Sequence, residues 1–514
     1  MKLTNKFLIG FMAIAACGCG QKQSDNPLLN DFTTPYGIAP FEEITIDNYR
    51  EGILLGMEEQ KAEIEAIINN PEEPTFQNTI VAMDQSGKLL RKVRGTFSPL
   101  TSSNSTEESR ALEKELSPLM SAHSDDINLN EKLFARVKKV YDNRENIKLT
   151  PEEKTVLENI YKRFVNSGAE LSETEKEKLR ELNQQLSMLE LTFSQNLLHE
   201  TNNTFVVANS LEELKGLPQA NIDAAAKMAA DNGQPGKWMF NMQRPSCNPV
   251  LQYCENRDLR KKVYDAYYNR GNTGNEYDSK EICRQLVTLR LEKAKLMGYN
   301  NYAEMVLEDR MAKTPEAVFE LLDQVWEPAV AKAKEELDDI RAEIRKEGKD
   351  FEPAGWDYMY YLDKAKRAKY SVDEQEIREY MEINNVMKGV FHVATQLYGV
   401  TFKEITADVP AYEPTAKAYE VIDKDGTVLA IFYSDNYPRE SKRAGAWCTS
   451  FRGQSYDGEE RIIPIVVNST NMTAPTGDGP ALQSIDNVET LFHEFGHALH
   501  SFMRDVRYNS ASGV

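Results

Sequence analysis

A chain of 514 residues with a formal net charge of −20 and a pI near 5.0 is long enough for two or three ordinary domains, or for one large helical body with a deep cleft. The acidic balance argues against nucleic acid as a partner, because holding phosphate requires a concentrated basic surface. Acidic runs such as Glu107-Glu108 and Glu173 to Glu177 have lysines in or near them and read as solvated helix faces.

The first twenty residues differ from the rest. Lys2 and Lys6 precede an apolar run from Phe7 to Ala16, too short to span a bilayer as a mature helix and fitting an export signal over 1–16. The run ends Ile14-Ala15-Ala16-Cys17, which resembles the lipobox of bacterial lipoproteins and implies a lipidated Cys17, with residues 17–27 as anchor and polar tether. An ordinary secretory signal cleaved nearby is the alternative. Either reading predicts an exported protein, periplasmic or in the cell envelope, touching membrane only through the N-terminal anchor. The other cysteines, Cys19, Cys247, Cys254, Cys283 and Cys448, form no C-x-x-C pair. Structural zinc-thiolate and thioredoxin-like sites are therefore not indicated, and buried free thiols are expected.

Helical periodicity then dominates. The apolar positions predict helices over 49–69, 75–98, 107–122, 130–144, 151–166, 172–199, 219–231, 248–269, 277–297, 314–347 and 373–399. Ser172 with Glu175 makes a capping-box start. Gln234-Pro235-Gly236 and Arg244-Pro245 mark a boundary between an N-terminal helical domain, 28–243, and a C-terminal domain, 244–514. Between about 400 and 470 the pattern changes to β: two runs flank Lys424-Asp425-Gly426 as a hairpin, and RIIPIVVNST supplies another strand. The fold class is mainly α with a small sheet.

Directly after that sheet comes LFHEFGHALH, Leu491 to His500, with three of the six histidines. At about 100° per residue, Val488, Leu491, Phe492, Phe495, Leu499 and Phe502 share one arc, and His493, His497 and His500 the opposite one. Asp486 is a cap for a helix starting near Asn487. His493 and His497 lie one turn apart, close enough for both rings to bind one ion. Glu494 would then take a proton from the zinc-bound water, the H-E-x-x-H mechanism. A third ligand of the longer metzincin pattern belongs at 503, which is Met503, so His500 is expected to pack or hydrogen-bond. Glu489, one turn before His493, either orients that ring through the nitrogen facing away from the metal or serves the helix cap.

VETLFHEFGHALH, together with FYSDNYPRESKRAGAWC and PIVVNSTNM, resembles the catalytic region of the thimet oligopeptidase family of zinc peptidases. NPEEPTFQNTIVAMDQSGKLL, NRGNTGNEYD, LRLEKAKLMGYNNYAEMVLEDRMAKTPEAV and WDYMYYLDKAKRAKY resemble its bacterial peptidyl-dipeptidase branch. The resemblance runs from about Asn26 to Val514. It implies a helical ellipsoid split by a deep channel, with a small sheet beside a thermolysin-like, gluzincin-type zinc helix. It further implies one Zn2+, ligands His493 and His497, base Glu494, short unstructured peptides as substrates, a monomer, and release of C-terminal dipeptides. The strand near 463–470 is expected to pair with substrate backbone or to serve the sheet alone. The family's third ligand is a glutamate about twenty-five residues after the second histidine, at what would be position 522. A catalytic zinc takes three protein ligands, so a C-terminally truncated chain is expected, holding zinc weakly and without turnover by itself. The alternatives are an endo-acting oligopeptidase of the same family and an inactive peptide-binding lipoprotein.

Overall fold

The structure is a computed structural model describing residues 24–475, 477 and 479–513. The predicted signal segment and Cys17 lie outside the described residues. At the near end of the predicted tether, Asn26 is buried, and its Nδ2 donates to the Asn48 carbonyl and to Glu51. The polypeptide is therefore fixed to the helical body from that point. Among the described residues no helix is long and apolar enough to cross a membrane.

The architecture is mainly α, as the periodicity predicts. Helix α1, Ile46–Ile68, is closed at its start by a capping box in which Thr45 and Asn48 exchange hydrogen bonds. The helix expected over 75–98 is broken. Gly87 sits at φ 70°, a left-handed conformation that ends one helical run and begins α2, Lys88–Ser103. The 248–269 segment likewise divides at Cys254 into α3, Arg244–Tyr253, and a helix over Arg257–Tyr268, the latter capped by Asn256. The 373–399 segment divides into a short turn of helix and α4, Ile383–Tyr398, which ends on Gly399 in the left-handed region. A helix over Gly355–Tyr370 has no counterpart in the predicted elements.

Five strands form one sheet. They are β1, Thr401–Glu404; β2, Lys417–Ile422; β3, Val428–Asp435; β4, Trp447–Arg452; and β5, Ile465–Ser469, and the spatial order is β1-β2-β3-β5-β4. The expected hairpin is β2–β3, turning through Lys424 to Gly426. Strand β5 pairs parallel with β3 on one side and antiparallel with β4 on the other. Both faces of the sheet are covered. Phe432 and Val466 point into a cluster with Val386, Met387 and Val390 of α4. Ile431, Tyr433, Ile465 and Val467 point into a second cluster with Ile38 and Phe451, the alternation expected of a strand. Burial on both faces explains why β5 reads as a continuous apolar run. Helix α2 packs against β4 so closely that a Cβ on Gly95 would lie 2.5 Å from the Phe451 carbonyl oxygen, which makes glycine there a packing requirement.

Cys247 and Cys254 are buried free thiols, as expected. Cys283 is exposed, contrary to expectation, because it falls on the outer face of the helix over Lys280–Leu296.

Candidate functional site

The histidine helix is α5, Ile485–Phe502. It begins two residues before the expected start. Ser484 is the cap, its hydroxyl accepting from the Asn487 N–H at 3.2 Å, and Asp486 sits in the first turn instead, where its charge favours the helix amino-terminus. The start is held in place by Gln483, fully buried. Its side chain bonds Thr473 and Ala481 and accepts from Asn487 Nδ2.

Leu491, Phe495, Ala498 and Phe502 of α5 are buried against α4 and the sheet, with Val488 and Leu499 packed at the margin. Phe495 meets Phe432 with ring centroids 5.6 Å apart, and Phe502 meets the same ring at 5.4 Å. Each such side chain contributes roughly 1.5–3 kcal/mol through burial. Phe492, assigned to the same arc by the helical wheel, is 39% exposed: it lies at the arc's edge, beyond the covering wall.

On the other side His493 is exposed and His497 half-buried, with ring centroids 5.0 Å apart and planes at 81°. Neither imidazole takes part in a hydrogen bond among the described residues. Glu494 is buried on the seam between the histidine face and the sheet. Beneath it lies β4: the Cys448 thiol is pushed up to about 12, first by burial and then by the nearby Glu494 charge. Cys448 is in register with Asn468 of β5, whose fully buried carboxamide has no hydrogen-bond partner on either atom among the described residues. The sequence marks Cys448 only as a free thiol and gives Asn468 no role; their place beneath Glu494 emerges from the pairing of β4 with β5.

Two free imidazoles one turn apart offer nitrogen donors of the kind zinc takes, and in that respect the residues fit the ion. A third donor is not grouped with them: among the described residues no cluster of three or more His, Cys, Asp or Glu side chains is positioned to hold a metal. Asp505 is engaged elsewhere, accepting from the Tyr456 hydroxyl at 2.7 Å. Glu489 is exposed, forms no hydrogen bond to His493, and does not cap, since the Ser484 hydroxyl performs that function. His500 bonds the Gly513 carbonyl through Nε2 at 3.1 Å.

Of the two expectations for the strand beside this helix, the sheet role holds. The segment 463–470 contains β5, whose two edges are already paired, so it has no free backbone for a peptide. The edge strand is β4. Trp447, Cys448, Thr449 and Ser450 are half-buried, while α2 covers the strand at Phe451.

Residues 250–514 match the profile of Peptidase family M3. The chain belongs to this family. It is similar to the dipeptidyl carboxypeptidase of Escherichia coli (strain K12), 36% identical over 490 residues, which span 95% of this chain and 72% of that one. The dipeptidyl carboxypeptidase of Salmonella typhimurium is also 36% identical, over 96% of this chain and 72% of the relative. Oligopeptidase A of Haemophilus influenzae is 30% identical over 95% and 72%. Within an M3 peptidase the paired histidines, the buried Glu494 and the edge strand β4 form one neighbourhood.

Proposed function

We propose that this M3 peptidase is a zinc metallopeptidase that acts on short peptides and releases dipeptides from their C-termini. The observation that carries the reading is the placement of Glu494, buried between the His493–His497 face and edge strand β4. His493 and His497 hold the ion. Zinc, when bound, supplies Lewis acidity that polarises a peptide carbonyl and acidifies water.

The rest is the work of the chain's own residues. A peptide lies along the free edge of β4 from Trp447 to Ser450, extending the sheet by one strand and exchanging main-chain hydrogen bonds. This addition excludes water from one side of the scissile bond. Glu494 accepts the proton of the attacking water and passes it to the departing amine nitrogen as the C–N bond breaks. Its burial against β4 fixes the carboxylate's direction.

A second reading, a peptide-binding protein without turnover, is favoured by the two-donor set. Mass spectrometry of the products from a ten-residue peptide with a free C-terminus, with zinc in excess, separates the readings. Products shortened by successive C-terminal dipeptides are expected, in place of the absence of turnover read from the sequence. Internal fragments alone would indicate an oligopeptidase, and peptide binding without cleavage would replace the proposal with the second reading.

A further inference from the structure

A cavity of about 900 Å³ lies among the N-terminal helices. Its walls come from α1, α2 and the helices over Glu107–Asn128, Pro151–Asn166 and Glu173–Asn203. Among the described residues none from α5 or β4 lines it, so it is separate from the histidine face. Its volume falls in the range of pockets that take small organic molecules, about 300–1,000 Å³.

Four cations and three carboxylates line this cavity, and most of them are satisfied by the chain itself. Asp84 accepts the Asn509 N–H on one oxygen at 2.8 Å and the Ser510 N–H on the other at 2.7 Å. Asp125 accepts from Asn183 at 2.9 Å, and burial pushes its carboxyl and that of Glu113 above their ordinary values. Arg91 donates to the Gln85 and Ser86 carbonyls, and Lys293 to Asn183 Oδ1 at 2.7 Å. Arg94 and Arg163 differ from these: among the described residues neither takes part in a hydrogen bond or an ion pair.

Both of these guanidiniums are open to water. The surrounding protein nevertheless pulls each below its ordinary value, opposed by no carboxylate at Arg94 and by Asp84 alone at Arg163. The water that reaches them is therefore the water of the cavity. A charge set within protein without a counterion is costly, and the planar donors of a guanidinium match the oxygens of a carboxylate or phosphate. Apolar side chains share the same walls: Leu90 and Phe97 of α2, Leu116, and Ile160 three residues before Arg163.

We infer that this cavity binds a small organic anion, its oxyanion head held by Arg94 and Arg163 and its apolar body lying against Phe97 and Leu116. The site is distinct from the peptidase site and does not depend on turnover of peptide. Carboxylate and phosphate share the chemistry these two residues recognise, and the cavity is too large for an inorganic oxyanion alone.

Isothermal titration calorimetry of the full chain tests this with three compounds of one body: naphthoic acid, naphthyl phosphate and the neutral naphthalenemethanol. The titrations are run without zinc, so that no metal at His493 and His497 competes for the anions. At least one anion is expected to bind about tenfold tighter than the alcohol, and the tighter of the two names the head group. Arg94→Gln and Arg163→Gln should each cut that preference to about threefold or less while leaving alcohol affinity unchanged, and lysine at either position should restore part of it. Equal binding of all three compounds by the parent overturns the inference, as does failure of all three to bind. An undiminished preference in both glutamine variants overturns it as well, and so does inorganic phosphate binding as tightly as the naphthyl anions.

Discussion

Glu494→Gln is expected to lower zinc-dependent peptide hydrolysis by about 10²–10⁴-fold, the usual contribution of a positioned general base. At about 1.4 kcal/mol per factor of ten, this corresponds to roughly 3–6 kcal/mol of transition-state stabilisation. Glutamine preserves the size and hydrogen-bonding reach of the side chain but cannot accept the proton from water. Because Glu494 is buried against β4, the isosteric change leaves the packing of α5 intact. Zinc content and peptide affinity should therefore stay within about twofold of the parent, and the loss should fall on kcat. Hydrolysis unchanged in Glu494→Gln would remove Glu494 from the mechanism.

The second large effect concerns the ion network that fixes the segment leading into β4. Asp435, at the end of β3, is fully buried. Arg439 donates to both carboxylate oxygens at 2.8 and 2.7 Å, and Lys442 Nζ donates to Oδ1 and to the Asp435 carbonyl, each at 2.8 Å. Tyr412 donates through its hydroxyl at 3.0 Å. Burial works to raise the Asp435 carboxyl, yet Arg439 and Lys442 hold it below the usual carboxylate range. Burial pulls the Lys442 ammonium down to about 8. Asp435→Ala leaves the buried Lys442 without its paired carboxylate and Arg439 with Glu413 alone, 3.4 Å away, and is expected to cost about 3–5 kcal/mol, read from urea or thermal unfolding. The stabilisation from Asp435 is fully present above the unfolded carboxyl pKa of about 3.9 and fades as pH falls through the lower folded value. Asp435→Asn should lack that acid-sensitive component. A loss below about 1 kcal/mol in Asp435→Ala would mean that the network is not holding this segment.

The helix-period signal was strong enough to locate α5 and the orientation of its histidines, because Leu491, Phe495 and Phe502 mark the buried back in one dimension. It misplaced Phe492, since a wheel drawn at 100° per residue carries no information about where the neighbouring wall ends. Strand β5 was visible as an apolar run because both of its faces are covered. Strand β4 was not, because a half-covered edge strand reading Trp-Cys-Thr-Ser shows neither a continuous apolar run nor clean alternation. Of the two roles the sequence left open for β5, the pairing of both its edges leaves the sheet role. Helix breaks at Gly87 and Cys254 depend on single backbone conformations that a periodic pattern spans without notice. The helix over Gly355–Tyr370 has charged and aromatic residues on most sides and begins after Ala354, whose side chain offers no cap.

The central claim is that His493 and His497 hold zinc beside Glu494. Zinc K-edge X-ray absorption on the zinc-loaded chain tests it most directly. The account predicts two nitrogen neighbours at about 2.0–2.1 Å, reduced to one in His493→Ala and in His497→Ala and unchanged in His500→Ala. The same spectrum from all four proteins would contradict it.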